Sequence, residues 1–169
     1  MPHLLKMLIA CVFALLIAAQ EAPAQGAQIA FGGLTQDTSL PVEIEADQLS
    51  VDQATGIATF TGNVLIGQGE MRLSAGKVIV EYAAASADEA GKIARLLASG
   101  GVTMVNGGEA AEAQNAEYTI DSGKIIMTGN VILTQGQSAL SAGRLIVDLK
   151  SGTGVMDGRV KSILKTGGN

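Results

Sequence analysis

The sequence predicts an all-β domain assembled from a degenerate repeat of 29 residues, and three observations carry that prediction. Apolar and polar residues alternate with a period of two from position 42 onward. Gly-x-Val motifs recur at fixed spacing, and no segment beyond the first two dozen residues shows a helical stripe. The chain has 169 residues, 47% of them apolar, which is enough for one domain with its own core.

Residues 1–24 read as a secretory signal peptide. Lys6 gives the positive start, positions 8–19 the apolar run, and Ala22-Pro23-Ala24 the small-x-small site, so cleavage is expected near Ala24/Gln25. The expected destination is the periplasm. An apolar run of this length is short for a membrane anchor, which needs roughly 20 residues. Cys11 lies inside the run with few hydrophobic residues before it, which argues against a lipidation box. Residues 25–40 mix Gly, Gln, Thr, Ser and Ala without periodicity and read as a flexible leader.

The first strand follows at Pro41. Val42, Ile44 and Ala46 point one way, and Glu43, Glu45 and Asp47 the other. The same alternation returns in Val64/Ile66, Met71/Leu73, Val78/Val80/Tyr82, Val102/Met104, Tyr118/Ile120, Val131/Leu133 and Leu145/Val147/Leu149, each run bounded by glycine. Residues 166–169 read as a disordered tail.

Aligning the Gly-x-Val motifs exposes the repeat. Val64, Val102, Val131 and Val160 are separated by 38, 29 and 29 residues, and Ala46, Ala75, Ala113 and Ala142 by 29, 38 and 29. One insertion of nine residues reconciles both columns, and the Ala-rich stretch 83–91 is the candidate. It reads as a loop in preference to a helical turn, because alanine alone nucleates a helix poorly. Phe60, Ala98, Met127 and Met156 sit four residues before each column valine, Ile66, Met104 and Leu133 two after it, and Ser162 breaks the last copy. Such a period implies stacked units that share one apolar strip, with Gly62, Gly76, Gly129 and Gly143 marking bends.

The inventory points away from catalysis. His3 and Cys11, the one histidine and one cysteine, leave with the signal, so no imidazole base or thiolate remains and no catalytic residue, metal or cofactor is expected. No Gly-x-Ser-x-Gly elbow accompanies the serines. A net charge of -5 disfavours nucleic acid. Glu43, Glu45 and Asp47 project from one strand face about 7 Å apart but lack the wrapping loop of a calcium site, so they read as a solvated face. Asp52, Asp121 and Asp157 lie near turn glycines, where Asp bonds its own backbone. Lys77 and Arg144 occupy matching repeat positions on the outside, as solubilising charge in preference to a rim for anionic head groups.

Pro41-Val42-Glu43-Ile44-Glu45-Ala46-Asp47-Gln48, followed by Phe60-Thr61-Gly62-Asn63-Val64 and Ala75-Gly76-Lys77-Val78, resembles the OstA-like (LptA) family of periplasmic lipopolysaccharide-transport proteins over residues 41–165. The resemblance implies an elongated, twisted, open β-jellyroll that carries lipopolysaccharide between the membranes. It also implies inner-membrane LptC-like and outer-membrane LptD-like partners. By position, Val42 and Ile44 match the strand that lines the groove and faces the inner-membrane partner, and Tyr118 and Ile120 a groove-lining strand. Alternation extends the lining to Phe60, Val64, Ile66, Val80, Met104, Met127, Val131, Leu133 and Val147.

A conduit is physically reasonable. Each methylene is worth roughly 0.8 kcal/mol on leaving water, so hydrating a chain of about twelve carbons costs about 9 kcal/mol. The open sheet ends expose unpaired backbone that invites strand addition. Head-to-tail contacts, including self-association, are therefore expected through Val42, Glu43 and Ile44 at one end and Val155, Val160 and Ile163 at the other. Two alternatives remain: an LptC-like member that keeps its N-terminal anchor, and a structural β-solenoid with a dry, fully packed interior.

Overall fold

The structure, a computed structural model, describes residues 27–30, 35–83 and 91–163, and these form strands and turns with no helix. The signal region 1–24, the tail 166–169 and positions 84–90 of the insertion lie outside the described residues. In chain order the strands are β1 (Ala27–Ala30), β2 (Glu43–Glu45), β3 (Gln48–Asp52), β4 (Ile57–Gln68), β5 (Met71–Tyr82), β6 (Ile93–Asn106), β7 (Glu109–Thr119), β8 (Lys124–Gln135), β9 (Ser138–Asp148), β10 (Thr153–Asp157) and β11 (Lys161–Ile163).

Strands β4 to β10 form an antiparallel meander in which each pairs with its sequence neighbour. Both β2 and β3 pair with β4, so they act as one edge strand broken near Ala46. Both β10 and β11 pair with β9 in the same way. The sheet does not close on itself.

A line of register slips crosses the sheet, at Thr61/Val64 in β4, Ser74/Lys77 in β5, Ser99/Val102 in β6, Glu112/Asn115 in β7 and Thr128/Val131 in β8. Here the repeat's Gly-Asn signature acquires a physical meaning. Gly62 and Asn63 both have positive φ (81° and 43°), as do Gly129 and Asn130 (85° and 50°). Two successive left-handed residues swing a strand sharply, and Gly followed by Asn is a pair that adopts them at low cost. Space enforces the choice as well. A Cβ on Gly62 would lie 2.5 Å from Asp47 Oδ2, and one on Gly129 would lie 2.6 Å from Gln114 Oε1. Asp47 completes the bend by accepting 2.8 Å from Asn63 Nδ2 and donating its backbone N–H 2.9 Å to Gly62 O.

The crease folds the sheet into two layers. In one, Phe60, Val78, Ala98, Ala116, Met127, Leu145 and Met156 are successive register partners from β4 to β10. In the other, Ile44, Ile66, Leu73, Met104, Ala111, Leu133 and Leu140 form the matching row. Both rows belong to one apolar core. The two columns found in the sequence also meet: Val64 pairs with Ala75, Val102 with Ala113 and Val131 with Ala142, along the inside of the crease.

Three expectations are corrected here. The stretch read as a flexible leader includes β1, which pairs with β10, and residues 35–40, which bond to both layers. Second, Val155 is not on a free edge, because Gln28 of β1 pairs opposite it. Third, the outside is less polar than strict alternation implies. Ile79, Leu97, Ile126, Ile146 and Val155 form a half-buried row on the outer face, interrupted by Glu117. Packing along neighbouring strands favours aliphatic residues even where one side meets water.

Candidate functional site

The space between the layers is the candidate site. Of the residues expected to line it, Val64, Ile66, Val80, Met104, Tyr118, Met127, Val131, Leu133 and Val147 are all at most 2% exposed. Val42, Ile44, Phe60 and Ile120 are partly buried and pack against that core. The thirteen positions thus share one continuous interior, although nine of them are sealed within it. Two further positions extend it beyond what the sequence suggested. Leu49 pairs with the inward Phe60 and Val51 with the inward Ala58, yet the two residues are 53% and 57% exposed because nothing among the described residues covers that edge. The alternation Gln48-Leu49-Ser50-Val51-Asp52 was the signal that could have found them.

The expected partner edges fare unevenly. Glu43 is exposed on β2, whose outer side has no neighbour among the described residues, and Val42 and Ile44 turn inward. At the other end Val160 follows the bend at Gly158 and Arg159 and is 39% exposed, outside any strand. Ile163 pairs with Ala139 and is 68% exposed on the outer face of β11. The last copy of the valine column therefore leaves the interior row.

Opposite the crease, where the hairpin ends of the two layers approach each other, the interior has a polar lip. Tyr118, on β7 in the first layer, donates its hydroxyl 2.6 Å to Gln68 Oε1 on β4 in the second. Gln68, 1% exposed, donates its amide 3.1 Å to Thr38 O and 2.9 Å to Leu40 O. Gln36 spans the gap: its backbone N–H donates 2.9 Å to Leu149 O and its side-chain amide 2.7 Å to Gln68 O. Burial pushes the Tyr118 hydroxyl up to about 12, so it stays a neutral donor at any ordinary pH. Neither glutamine was expected to bear on the site, since Gln68 stands beside a hairpin glycine and Gln36 in the stretch read as a flexible leader.

Charged groups keep to the outside except Glu109, which faces inward opposite the buried Asn106 and accepts 2.9 Å from Gln135 Nε2. Arg95 bonds Glu81 at 2.6 Å and Glu117 at 3.1 Å, and these carboxylates hold its guanidinium above its ordinary value. Lys77 is exposed, and Arg144 reaches Asp157 at 3.8 Å. Asp157 is therefore an ion-pair partner in place of the expected turn former. Asp52 does cap its turn, accepting from the N–H groups of Ala54 and Thr55, which lower its carboxyl below the usual value. Asp148 does the same for Lys150 and Ser151. Glu43, Glu45 and Asp47 are exposed. Among the described residues, no three His, Cys, Asp or Glu side chains gather as metal ligands. The interior offers apolar surface with its few hydrogen-bonding groups, including the Glu109 carboxyl, gathered at one lip, an arrangement suited to apolar chains.

Comparison with known proteins agrees with this geometry. The family model described as LptA/(LptD N-terminal domain) LPS transport protein matches residues 43–153. The lipopolysaccharide export system protein LptA of Escherichia coli is 32% identical over 119 residues, covering 66% of this chain and 62% of its own length. The chain thus spans about 62% of that relative. LptA of Haemophilus influenzae is 28% identical over 139 residues, 79% of each chain. The crystal structure of LptH, the LptA homologous periplasmic component of the lipopolysaccharide transport device of Pseudomonas aeruginosa, superposes with a TM-score of 0.67 at 13% identity, covering 77% of this chain and 99% of that one. That likeness bears on the fold, and it is the open, twisted jellyroll. The chain belongs to the LptA/(LptD N-terminal domain) LPS transport protein family.

Proposed function

We propose that this protein is a non-enzymatic periplasmic carrier that shields the acyl chains of lipopolysaccharide between its two layers on the way from the inner to the outer membrane. The observation that carries the reading is the unbroken apolar row on the inner face of each layer, from β4 to β9, in a sheet that does not close. An open apolar trough shared by every strand can pass a chain along, whereas a closed pocket can only hold one. Its lining of Val, Ile, Leu and Met deforms readily around an acyl chain.

Export through a signal peptide cleaved near Ala24/Gln25 fits this role. In the same reading the edges at β2/β3 and β11, which no described strand covers, serve LptC-like and LptD-like partners or further copies of the chain by strand addition.

The tightly packed interior favours one competing reading, a structural scaffold that never opens. Photocrosslinking separates the two. A photoreactive residue at Ile44, Phe60 or Ile120 is expected to capture purified lipopolysaccharide, and one at the outward Ile126 is not. Capture from none of the inward positions, or equal capture from position 126, would rule the carrier out.

A further inference from the structure

We propose that residues 35–40 are a displaceable strap that closes the lip of the interior, with Gln68 as its latch, so that an apolar ligand enters as the strap leaves. The identity of the natural ligand rests on the carrier reading above; the strap's movement does not.

The strap's path places it over the entry. Its Gln36 bonds Leu149 in one layer and Gln68 in the other, so a single residue staples the layers together. The strap also lies directly on two hairpin turns. A Cβ on Gly69, at the β4–β5 turn, would lie 2.2 Å from Gln36 Nε2 and 3.0 Å from Leu40 Cδ1. A Cβ on Gly123, at the β7–β8 turn, would lie 3.1 Å from Thr38 Cγ2. Beside this crossing Met71 and Leu149 are fully buried.

The way the strap is held suits release. Thr35, Asp37, Ser39, Leu40 and Pro41 are exposed, and Leu40 is 41% exposed despite its apolar side chain. The segment is fixed by hydrogen bonds to the Gln68 side chain and to the backbone carbonyls of Gln68 and Leu149, and Leu40 is its one large apolar side chain. Such bonds exchange with water at small net cost, so the strap can leave while the core rows stay packed. Release frees both N–H groups of Gln68, beside the Tyr118 hydroxyl, and amide donors of this kind suit the ester or amide carbonyl of an acyl chain. Strap carbonyls and ligand carbonyls then compete for the same two donors.

The test uses the full chain with Cys11→Ser, so that introduced thiols are the only ones. Thr38 and Lys150 pack against the same point over Gly123, at 3.1 Å and 3.0 Å, and Thr38→Cys with Lys150→Cys ties the strap down when oxidised. Entry is read by the fluorescence enhancement of 1-anilinonaphthalene-8-sulfonate, and separately by binding of purified lipopolysaccharide. Oxidation is expected to slow dye entry at least fivefold, with recovery on reduction, and Gln36→Ala without the cysteines is expected to speed it about threefold. Equal entry in the oxidised and reduced forms overturns the strap, as does an unchanged rate in Gln36→Ala should the disulfide not close. If dye entry follows the strap but no form binds lipopolysaccharide, the strap stands and the carrier reading fails.

Discussion

Tyr118 and Gln68 lie fifty residues apart on strands that are not neighbours in the sheet, and a 2.6 Å hydrogen bond joins them across the two layers. Tyr118→Phe removes the donor while keeping the ring, and leaves a buried carbonyl oxygen on Gln68 without its partner. An unmade bond of that kind costs about 1–3 kcal/mol. Urea unfolding is expected to show that loss of free energy as a lowered midpoint at an unchanged slope. No change in midpoint would mean that the bond does not tie the layers.

The same phenol sets a response to alkali. Its folded value is about 12, against about 10 for an unfolded tyrosine. Below pH 10 both states keep the proton, and stability is undiminished. From pH 10 to 12 the unfolded state releases its proton while the folded state retains it, so stability falls, by about 3 kcal/mol at most. Tyr82→Phe leaves Tyr118 as the one remaining tyrosine, and absorbance at 295 nm in that variant is expected to rise only near pH 12 or on unfolding. A midpoint near 10 in the folded protein would overturn the assignment.

The crease makes a prediction that separates backbone conformation from crowding. Gly129 has φ 85° and no room for a Cβ beside Gln114, whereas Gly136 has φ 58° and nothing within 4 Å. Gly136→Ala should cost about 1 kcal/mol, the left-handed penalty alone. Gly129→Ala adds a clash to that penalty, and is expected to cost at least about twice as much in thermal or urea unfolding. Equal losses would mean that Gln114 moves aside freely.

Much of this architecture was legible because period-two alternation and a 29-residue register are direct consequences of how a strand meets a core. Val64, Val102 and Val131 sit where the register placed them, on the inside of the crease, opposite Ala75, Ala113 and Ala142 only on the partners that the pairing supplies. Three features were not legible. Val155 looked like a free edge because nothing local reveals that Ala27–Ala30 returns to pair with β10. Gln36 and Gln68 looked like surface residues because their burial depends on two chain segments meeting across the lip. The outer aliphatic row was hidden because runs such as Val78-Ile79-Val80 fit both a strand buried on both sides and one with a tolerant outer face.

That ambiguity is settled at Ile126 and Met127, adjacent residues on β8 that point in opposite directions. Met127 is fully buried in the row running from Phe60 to Met156, so Met127→Ala leaves a cavity in the shared interior, and about 2–5 kcal/mol of stability should be lost. Ile126 is half-buried outside, between Glu117 and Ile146. Ile126→Thr keeps the β-branch that the strand favours and gives up only part of a solvent-facing contact, for an expected loss below about 1 kcal/mol. Equilibrium urea unfolding of the two variants side by side checks the order. A reversal would place the apolar trough on the other side of the sheet and remove the basis for a lipid path between the layers.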